Sequence, residues 1–381
     1  MARLGDVCTI VSGTTPKSSC PEYWDGDINW VTPAELNNES DVIYESQRKI
    51  TKQAVIDSSL KPFPAGTVLL SSRAPIGKVA IAGTEMYCNQ GFKNLICSDA
   101  IYNRYLYHYL KNKTEYLNSL GRGATFKEIS KSIVEEIEIP LPSLEEQRRI
   151  AALLDKVSDL TAKRRQQLYK LDELIKSRFI EFFDACDTYE LLQDSNIYIS
   201  DGNYSSKYPT ADEFVEEGVP FIRASNMEMN TIIDDNMYFI TREKHAILLK
   251  GHVKAGDVLI TTRGATIGKI ACVPPRHEDS NINAQIVLLR CPKNEYNPLF
   301  LSWYLKLKNT QAEIQKLISG SAQPQLPIKR LVQLNLLKPN INLQNQFAAF
   351  VEQTEKSKTT ICSSLEKLET LKKALMQQYF R

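Results

Sequence analysis

Two patterns of hydrophobic positions alternate along the chain, and each occurs twice. Short apolar runs such as 68–71 and 258–261 lie among glycine, proline, asparagine and aspartate, which predicts short β-strands separated by turns. After each mixed region, apolar residues recur three and four positions apart, which predicts a long helix. The pattern therefore predicts an α+β protein in which β-rich regions alternate with long helices.

The second half of the chain resembles the first half at an offset of roughly 190 to 200 residues. The collinear matches are Ala65–Arg73 with Ala255–Arg263, Ile76–Lys78 with Ile267–Lys269, Asn89-Gln90 with Asn283-x-Gln285, and Leu144-x-x-Gln147 with Leu343-x-x-Gln346. Because these matches keep the same order in both halves, we interpret them as an internal duplication. Two such halves are expected to be related by a pseudo-twofold axis.

The repeat divides the chain into four predicted segments. These are a first β-rich domain at 1–142, a central helix at 143–185, a second β-rich domain at 186–341 and a C-terminal helix at 342–381. Ser143 and Glu146 have the spacing of a capping box at the start of the central helix. Asn342 is the predicted N-cap of the C-terminal helix.

Both predicted helices carry an apolar seam with coiled-coil spacing. The candidate residues for helix pairing or subunit docking are Ile150, Leu154, Val157, Leu168, Leu171, Ile175, Phe347, Val351, Ile361, Leu365, Leu368 and Leu375. A helix of about 40 residues spans roughly 60 Å, which favours antiparallel pairing of the two helices. The alternative is that the seams belong to the core of one globular fold. Under the pairing interpretation Leu168 and Leu368 are large buried residues, and their replacement costs about 2 to 5 kcal/mol.

Composition narrows the class of protein without identifying a ligand. The chain is 43% hydrophobic and 24% charged over 381 residues, as in soluble globular proteins, and no apolar run is long enough to span a membrane. The eight cysteines include no C-x-x-C pair, so we expect reduced thiols in the cytoplasm and neither a zinc site nor disulfides. The net charge of +2 is low for a protein that binds DNA by charge alone. Either DNA is not the ligand, or a basic face is offset elsewhere, or other subunits contribute to binding.

We find no constellation of residues that predicts catalysis. Gly264–Lys269 resembles a phosphate-binding loop, but it has one residue too few between the glycines. Asn297-Pro-Leu-Phe300 resembles a methyltransferase motif without its second proline, so a helix start is the better interpretation. The four histidines have neither metal-ligand spacing nor a visible nucleophile. The sequence therefore predicts no catalytic residue, no metal ligand and no cofactor bound by this chain.

Polar residues around the repeated turns are the candidates for DNA contacts. Hydroxyls, lysine and backbone N–H groups suit phosphates, arginine suits phosphate or guanine, and asparagine and glutamine suit adenine. The candidate residues are Thr15, Lys17, Ser72, Arg73, Lys78, Asn89, Gln90, Arg122, Lys127, Arg223, Asn226, Thr262, Arg263, Lys269, Asn283, Gln285, Gln323 and Gln325. The alternative for each is an ordinary structural role in a turn or loop. The loops at 14–30 and 204–226 diverge between the halves, so we expect two different half-sites.

The whole chain resembles the DNA-specificity subunits of type I restriction-modification systems. The resemblance rests on Leu4–Val7, Ser12–Pro16, the two Ala-Gly-x-Val-Leu runs with their arginines, the Ile-Gly-Lys turns and, above all, Ile139–Ile150. It implies that 1–142 and 186–341 are target-recognition domains, each reading one part of an asymmetric bipartite site in double-stranded DNA. The sequence departs from the usual pattern at 338–342, where no Pro-Leu-Pro precedes the second helix.

The same resemblance implies the partners. Two modification subunits would dock on the long helices and methylate adenine with S-adenosylmethionine, and two restriction subunits would use ATP and Mg²⁺. Two other functions stay open from the residues alone. One is a self-contained methyltransferase or nuclease with a cryptic site, and the other is a coiled-coil adaptor that does not bind DNA.

Overall fold

The chain folds into two structural units. The structure is a computed structural model, and it describes residues 1–36, 41–73, 75–123, 127–204, 207–228, 230–320 and 323–380. The first unit combines Met1–Arg165 with Ser363–Arg381, and the second is Gln166–Cys362. Each unit therefore contains one β-rich region and a part of each long helix. The predicted fold class is confirmed: two tandem β-rich domains and two long helices.

The first unit is built on a five-stranded sheet. Its strands are β1 (Ala2–Arg3), β2 (Cys8–Ser12), β3 (Trp24–Val31), β4 (Val42–Ile43), β5 (Lys49–Ile50), β6 (Val68–Leu70), β7 (Val79–Ala82), β8 (Tyr87–Cys88), β9 (Lys93–Cys97) and β10 (Glu138–Ile139). The main sheet has the order β2-β9-β6-β7-β4, a second sheet has the order β5-β3-β8, and β1 pairs with β10. Its helices are α1 (Leu4–Val7), α2 (Lys52–Asp57), α3 (Asn103–Asn112), α4 (Thr114–Leu120), α5 (Lys131–Glu135) and the first part of α6 (Leu144–Phe183).

The second unit repeats this topology. Its strands are β11 (Tyr189–Leu191), β12 (Tyr198–Asp201), β13 (Phe214–Val215), β14 (Val219–Ile222), β15 (Met227–Glu228), β16 (Thr231–Ile232), β17 (Tyr238–Ile240), β18 (Val258–Thr261), β19 (Ile270–Cys272), β20 (Asn281–Ile282), β21 (Ile286–Arg290) and β22 (Asn335–Leu337). The order β12-β21-β18-β19 corresponds to β2-β9-β6-β7. The pair β11-β22 corresponds to β1-β10. The helices are α7 (Arg242–Ile247), α8 (Pro298–Lys306), α9 (Lys308–Leu317), α10 (Ile328–Leu331) and α11 (Ile341–Tyr379).

The starts of the two long helices differ in detail from the predictions. The Glu146 backbone N–H donates to Ser143 Oγ at 3.3 Å, as a capping box requires. The Glu146 carboxylate, however, accepts two hydrogen bonds from Arg149 at 2.7 and 2.6 Å. The prediction that Asn342 caps the second helix is wrong, because Asn340 Oδ1 accepts the Asn342 N–H at 2.8 Å and the helix begins at Ile341. Asparagine at position 340 satisfies a backbone donor that the first helical turn leaves unpaired.

The helices run antiparallel within each unit. In the first unit Lys372 Nζ donates to Ser158 Oγ at 3.0 Å, and Arg165 pairs with Glu369 at 2.8 Å. In the second unit Lys358 pairs with Asp172 at 2.9 Å, and the ring centroids of Phe179 and Phe347 lie 5.2 Å apart. In both units a later position on α6 meets an earlier position on α11, as antiparallel pairing requires.

The ends of both seams belong to the domain cores as well as to helix pairs. Ile150, Leu154, Val157 and Leu375 are buried in the core of the first unit, and Ile175, Phe347 and Val351 in that of the second. Leu168, Leu171, Ile361, Leu365 and Leu368 are half-buried. The prediction that Leu168 and Leu368 are buried is therefore wrong, because both side chains keep partial exposure. Their replacement is expected to cost less than core truncation, since each side chain keeps part of its solvent contact.

No helix among the described residues is long and apolar enough to cross a membrane. The methyltransferase-like segment is a helix start, as predicted: Asn297 is the N-cap of α8, and its Oδ1 accepts the Leu299 N–H at 2.9 Å. The phosphate-loop-like segment forms the turn between β18 and β19.

Candidate nucleic-acid interface

A buried hydroxyl organises the turn that follows the central strand of each unit. In the first unit the Lys78 backbone N–H donates to Ser71 Oγ at 2.9 Å. In the second, the Lys269 backbone N–H donates to Thr261 Oγ1 at 3.0 Å. Both turns thus have the same internal hydrogen bond, which fixes the backbone just before and after the repeated arginine.

The side chains of the two turn lysines point back to protein carbonyls. Lys78 Nζ donates to Pro33 O at 3.3 Å, and Lys269 Nζ donates to Ala224 O at 3.4 Å. Both lysines are half-buried. Each lysine therefore links the turn to a neighbouring loop, and its side chain is only partly exposed to solvent.

A second repeated loop binds the residue next to the hydroxyl. The Ser72 N–H donates to Gly91 O at 2.7 Å, and the Thr262 N–H donates to Gln285 O at 2.7 Å. In the same loops Asn89 Oδ1 accepts the Gly91 N–H at 2.9 Å, and the corresponding asparagine of the second unit accepts the Gln285 N–H at 3.1 Å. The equivalent of Gln285 is therefore Gly91, one residue beyond the glutamine that the sequence match suggests.

In each unit a glycine that directly follows a strand, β2 or β12, packs closely against this second loop. A Cβ on Gly13 would lie 2.0 Å from Asn89 O, and a Cβ on Gly202 would lie 2.3 Å from Asn283 O. Distances this short leave no room for any side chain. The approach brings Thr15 beside Gln90, and their side chains form a hydrogen bond. These candidates of the first unit therefore lie together on the structure.

The repeated arginines form equivalent backbone bridges to a third loop, which is 122–128 in the first unit and 319–325 in the second. Their side chains have different partners. Arg73 bridges Glu128, and Arg263 bridges Gln325 at the corresponding place. Arg73 Nε donates to the Glu128 carboxylate at 2.9 Å. Arg263 instead lies over the ring of Tyr204, with its Cζ 4.8 Å from the centroid. The first arginine is thus held by an acidic residue, whereas the second stacks on an aromatic ring.

From the sequence, Gly121–Lys127 matches Ser319–Gln325, which places Lys127 opposite Gln325, but the structure shifts this match by one residue. Arg122 bridges Glu128, and Ser319 bridges Gln325. Glu128, and not Lys127, is therefore the counterpart of Gln325. Ala124, Thr125, Phe126, Ser321 and Ala322, also in these loops, lie outside the described residues.

Glu128 is a residue that sequence reasoning missed. Lys93 Nζ lies 3.1 Å from its carboxylate, in addition to Arg73. Burial raises the pKa of the Glu128 carboxyl, but the hydrogen bonds from Arg73 and Lys93 outweigh burial and leave this pKa below its ordinary value. Glu128 therefore stays ionised and partly neutralises the basic groups around it. Only the correct one-residue alignment with Gln325 could have drawn attention to it.

Each unit also stacks an arginine on aromatic rings. Arg223 lies over Tyr238 with its Cζ 3.5 Å from the ring centroid, and its Nη2 donates to Asn236 O at 2.8 Å. In the first unit the exposed Arg48 lies over Trp24 at 3.9 Å and over Trp30 at 5.2 Å. Arg48 was not among the predicted contacts, because its neighbours along the chain carry no motif. Stacking limits the rotamers of both guanidinium groups, so each is held in one position.

Exposure divides the predicted contacts into three groups. Exposed candidates are Thr15, Lys17, Arg73, Gln90, Arg122, Lys127, Arg263, Gln285, Gln323 and Gln325. Half-buried candidates are Lys78, Asn89, Arg223 and Lys269, and buried candidates are Ser72, Asn226, Thr262 and Asn283. Asn226 Oδ1, for example, accepts the Arg223 N–H at 3.1 Å and so shapes its own loop. The buried group thus forms a frame, and the exposed group is available to a ligand.

The chain belongs to the family of type I restriction-modification DNA specificity domains. The family model matches residues 1–170 and 199–372, which cover both halves of the repeat. The resemblance predicted from the sequence is therefore confirmed. The two matched segments also agree with the repeated topology of the two units.

Several named relatives share this assignment. The MjaIX specificity subunit of Methanocaldococcus jannaschii is 44% identical over 187 residues, which cover 47% of this chain and 43% of that relative. The MjaVIII specificity subunit of the same organism is 24% identical over 396 residues, which cover 99% of this chain and 90% of the relative. The EcoR124I/EcoR124II specificity subunit of Escherichia coli is 30% identical over 165 residues, 42% of this chain and 40% of the relative. The alignments to MjaIX and EcoR124I/EcoR124II thus span less than half of each relative.

Two solved structures have the same fold. The S subunit of the type I system of M. genitalium matches with a TM-score of 0.61 at 17% identity, covering 100% of this chain and 95% of that chain. A chain from a study of complex assembly and conformational transition of the type I R-M system matches with a TM-score of 0.56 at 19% identity, covering 100% and 97%. At these identities the similarity concerns the fold alone.

Proposed function

We propose that this chain is the non-catalytic specificity subunit of a type I restriction-modification complex, in which each unit reads one part of an asymmetric, interrupted site in double-stranded DNA. The observation that carries the proposal is the frame that occurs twice with different exposed side chains. In each unit buried hydroxyls and backbone groups hold one arginine at the same place. The groups around that arginine differ, since Glu128 holds Arg73 whereas Tyr204 stacks on Arg263.

The frame suits DNA recognition because its buried groups fix the backbone, whereas the exposed side chains are available to contact bases and phosphates. An arginine held on rigid backbone can form two hydrogen bonds to guanine or to a phosphate. Exposed amides such as Gln90 and Gln285 can bind adenine through two hydrogen bonds. The near-neutral net charge of +2 limits non-specific affinity, so we expect partner subunits to contribute phosphate contacts.

Arg263→Ala in the assembled modification complex tests the proposal. The target is first identified by mapping methylated adenines in the genome with and without this gene. Binding of the target duplex is then measured by fluorescence anisotropy at several salt concentrations. If Arg263 contacts a base, specificity at one base pair should relax by about 1 to 3 kcal/mol. If it contacts a phosphate, affinity should fall for all sequences and the salt slope should decrease by about one.

Arg242→Ala is the matched control, because it removes an arginine of the same unit whose side chain is 81% exposed. We expect this control to bind like wild type. The Arg73→Ala variant gives the same comparison for the first unit. If Arg263→Ala and Arg73→Ala both bind DNA as tightly and as selectively as Arg242→Ala, the two repeated turns do not read DNA.

The long helices are the proposed docking surface for two modification subunits. Their solvent-facing sides carry exposed apolar residues, among them Leu160, Leu174, Ile180 and Leu371. Single exposed apolar residues are common on protein surfaces, so the family assignment supports this proposal and these residues serve as its test. Replacement of Leu174 by glutamate should weaken co-purification of the modification subunit without changing the fold, as judged by circular dichroism.

The proposed chemistry lies in the partners. The modification subunits would use S-adenosylmethionine to methylate adenine, and two restriction subunits would use ATP and Mg²⁺ for cleavage. We expect the complex to act in the cytoplasm, where these cofactors and the DNA are present. The isolated chain should show neither methyl transfer nor cleavage, and calorimetry with S-adenosylmethionine should give no binding heat.

A further inference from the structure

Two histidines and one aspartate form a cluster in the second unit. His245 lies in α7, His252 follows five residues after that helix, and Asp279 lies two residues before β20. One potential ligand atom of each residue lies within 4.8 Å of those of the other two. His245 is buried, His252 is half-buried and Asp279 is exposed, so the cluster reaches solvent through the carboxylate.

Each imidazole ring is oriented by a hydrogen bond from one of its two nitrogens. His245 Nδ1 donates to Asn281 Oδ1, and His252 Nε2 donates to Leu248 O at 2.6 Å. Metal-binding histidines commonly donate their second ring N–H to an amide or backbone oxygen, which fixes the tautomer and the ring. These bonds leave His245 Nε2 and His252 Nδ1 as the nitrogens with an available lone pair.

The arrangement places acceptor atoms against each other. His245 Nε2 lies 3.2 Å from Asp279 Oδ1, and the centroids of the two imidazole rings are 4.4 Å apart. When Nδ1 carries the proton of a neutral imidazole, Nε2 is an acceptor, as is the carboxylate oxygen. Two facing acceptors repel unless a cation or a second proton lies between them. A proton on His245 Nε2 alone would satisfy this contact, whereas one metal ion would also accept the lone pair of His252 Nδ1.

We propose that His245 Nε2, His252 Nδ1 and Asp279 bind one Zn²⁺ ion, with water as the fourth ligand. Imidazole and carboxylate are ligands that Zn²⁺ accepts in tetrahedral sites, and three protein ligands with one water is a known arrangement. Bonds of 2.0 to 2.2 Å place ligand atoms about 3.4 Å apart. The 3.2 Å between His245 Nε2 and Asp279 Oδ1 is close to this value, and one ligand atom of each of the three residues lies within 4.8 Å of the others. The ion joins α7, the segment around His252 and the start of β20 into one structure.

The consequence for the second unit is local. The strand β20 continues directly into Asn283 and Gln285, whose loop carries candidate DNA contacts. A metal ion at Asp279 therefore anchors the chain just before that loop. This inference does not depend on the proposed function, since zinc binding can be measured without DNA or partner subunits.

Competition dialysis of the untagged full-length chain with Zn²⁺ and a chromophoric indicator tests the proposal. Wild type should bind one Zn²⁺ ion at this site, and Asp279→Asn should weaken that binding by at least about tenfold. Asp234→Asn is the matched control. The Asp234 side chain is 67% exposed against 66% for Asp279, and it lies 2.9 Å from a buried histidine, His277, within the same unit. The control should bind Zn²⁺ like wild type.

A second variant and a spectroscopic probe separate loss of ligand from loss of fold. His252→Gln should weaken Zn²⁺ binding as Asp279→Asn does, and circular dichroism should show that both variants are folded. Cobalt(II) should give the visible absorption of a tetrahedral site in wild type and in Asp234→Asn only. The proposal is overturned if wild type binds no Zn²⁺ at micromolar concentration, or if Asp279→Asn and His252→Gln both retain the affinity of the control.

Discussion

We expect Lys306 to destabilise the second unit at neutral pH, so its replacement by methionine should increase the free energy of unfolding. The residue ends α8, and its Nζ lies 4.7 Å from the ring centroid of Trp303. Burial lowers the pKa of the Lys306 ammonium from 10.5 to about 8. Nearby Lys358 also lowers this pKa, whereas Asp172 raises it. Burial therefore outweighs the favourable carboxylate.

The magnitude follows from the pKa. At about 1.4 kcal/mol for each pKa unit, a decrease from 10.5 to about 8 corresponds to about 3 kcal/mol against the charged form. Methionine keeps the apolar stem and removes the charge, but it loses the cation–π contact with Trp303, which is worth about 0.5 to 1 kcal/mol or more. The Lys306→Met variant should therefore be more stable than wild type by about 1 to 3 kcal/mol at pH 7.

The predicted pH dependence of stability is opposite to that of a lysine in an ion pair, whose pKa rises on folding. Because the pKa of folded Lys306 is below that of the unfolded chain, the unfolded state binds more protons between about pH 8 and 10.5. Wild-type stability should therefore rise through this window relative to Lys306→Met. The advantage of the variant should be full below pH 8 and should have vanished by about pH 10.5.

Urea unfolding of wild type and variant at pH 7 and at pH 9.5 is the assay. Lys308→Met is the control, because Lys308 is exposed and only two residues away. It should change the free energy of unfolding by less than about 0.5 kcal/mol at either pH. If Lys306→Met is no more stable than Lys308→Met at pH 7, or if its advantage is the same at pH 9.5, the buried charge is not the cause.

Two further predictions concern the cores in which the long helices take part. Phe179→Ala should lower the free energy of unfolding by about 3 to 5 kcal/mol in chemical denaturation, because this buried ring stacks on Phe300 at a centroid distance of 5.5 Å. Ile180→Ala is the control and should cost little, because Ile180 is 59% exposed. Equal effects of the two substitutions would contradict the packing. Burial raises the pKa of the Asp155 carboxyl, but hydrogen bonds from His108 and Arg104 outweigh it and lower that pKa. The stabilising contribution of the Asp155 carboxylate should therefore be lost as pH falls through the lowered pKa. The free energy of unfolding of Asp155→Asn should accordingly fall less steeply than that of wild type below about pH 4. An unchanged pH dependence would show that the interactions of Asp155 with His108 and Arg104 do not stabilise the fold.

The periodic and repeated parts of this protein could be predicted from the sequence. The helices α6 and α11 follow from apolar spacing, and the strands β6 and β18 follow from short apolar runs before a glycine-containing turn. These signals are local, so a single sequence contains them. The cap of α11 was misplaced by two residues because Asn340 and Asn342 are both able to cap, and only the backbone geometry distinguishes them.

The less predictable parts depend on contacts between distant residues. The sequence contains Arg73 and Glu128, but their pairing depends on a bridge between loops 55 residues apart. His245 and Asp279 were assigned no metal role because they lie on separate elements, and the fold alone brings them within 3.2 Å. The burial of Ser72 and Thr262 likewise follows from a neighbouring loop, which composition does not show.

The repeated frame has a consequence for how such a surface can change over generations. Its bonds join backbone atoms, buried hydroxyls and the asparagine amides of Asn89 and Asn283, so they do not depend on which side chains stand beside them on the outside. Arg122 and Ser319 form the same bridge, as do Glu128 and Gln325, although they share neither charge nor size. Mutations at such outward positions can therefore accumulate in one half at little cost to folding. The exposed residues of each half can therefore change independently, while the buried hydrogen bonds that both halves share keep the backbone of each loop in place.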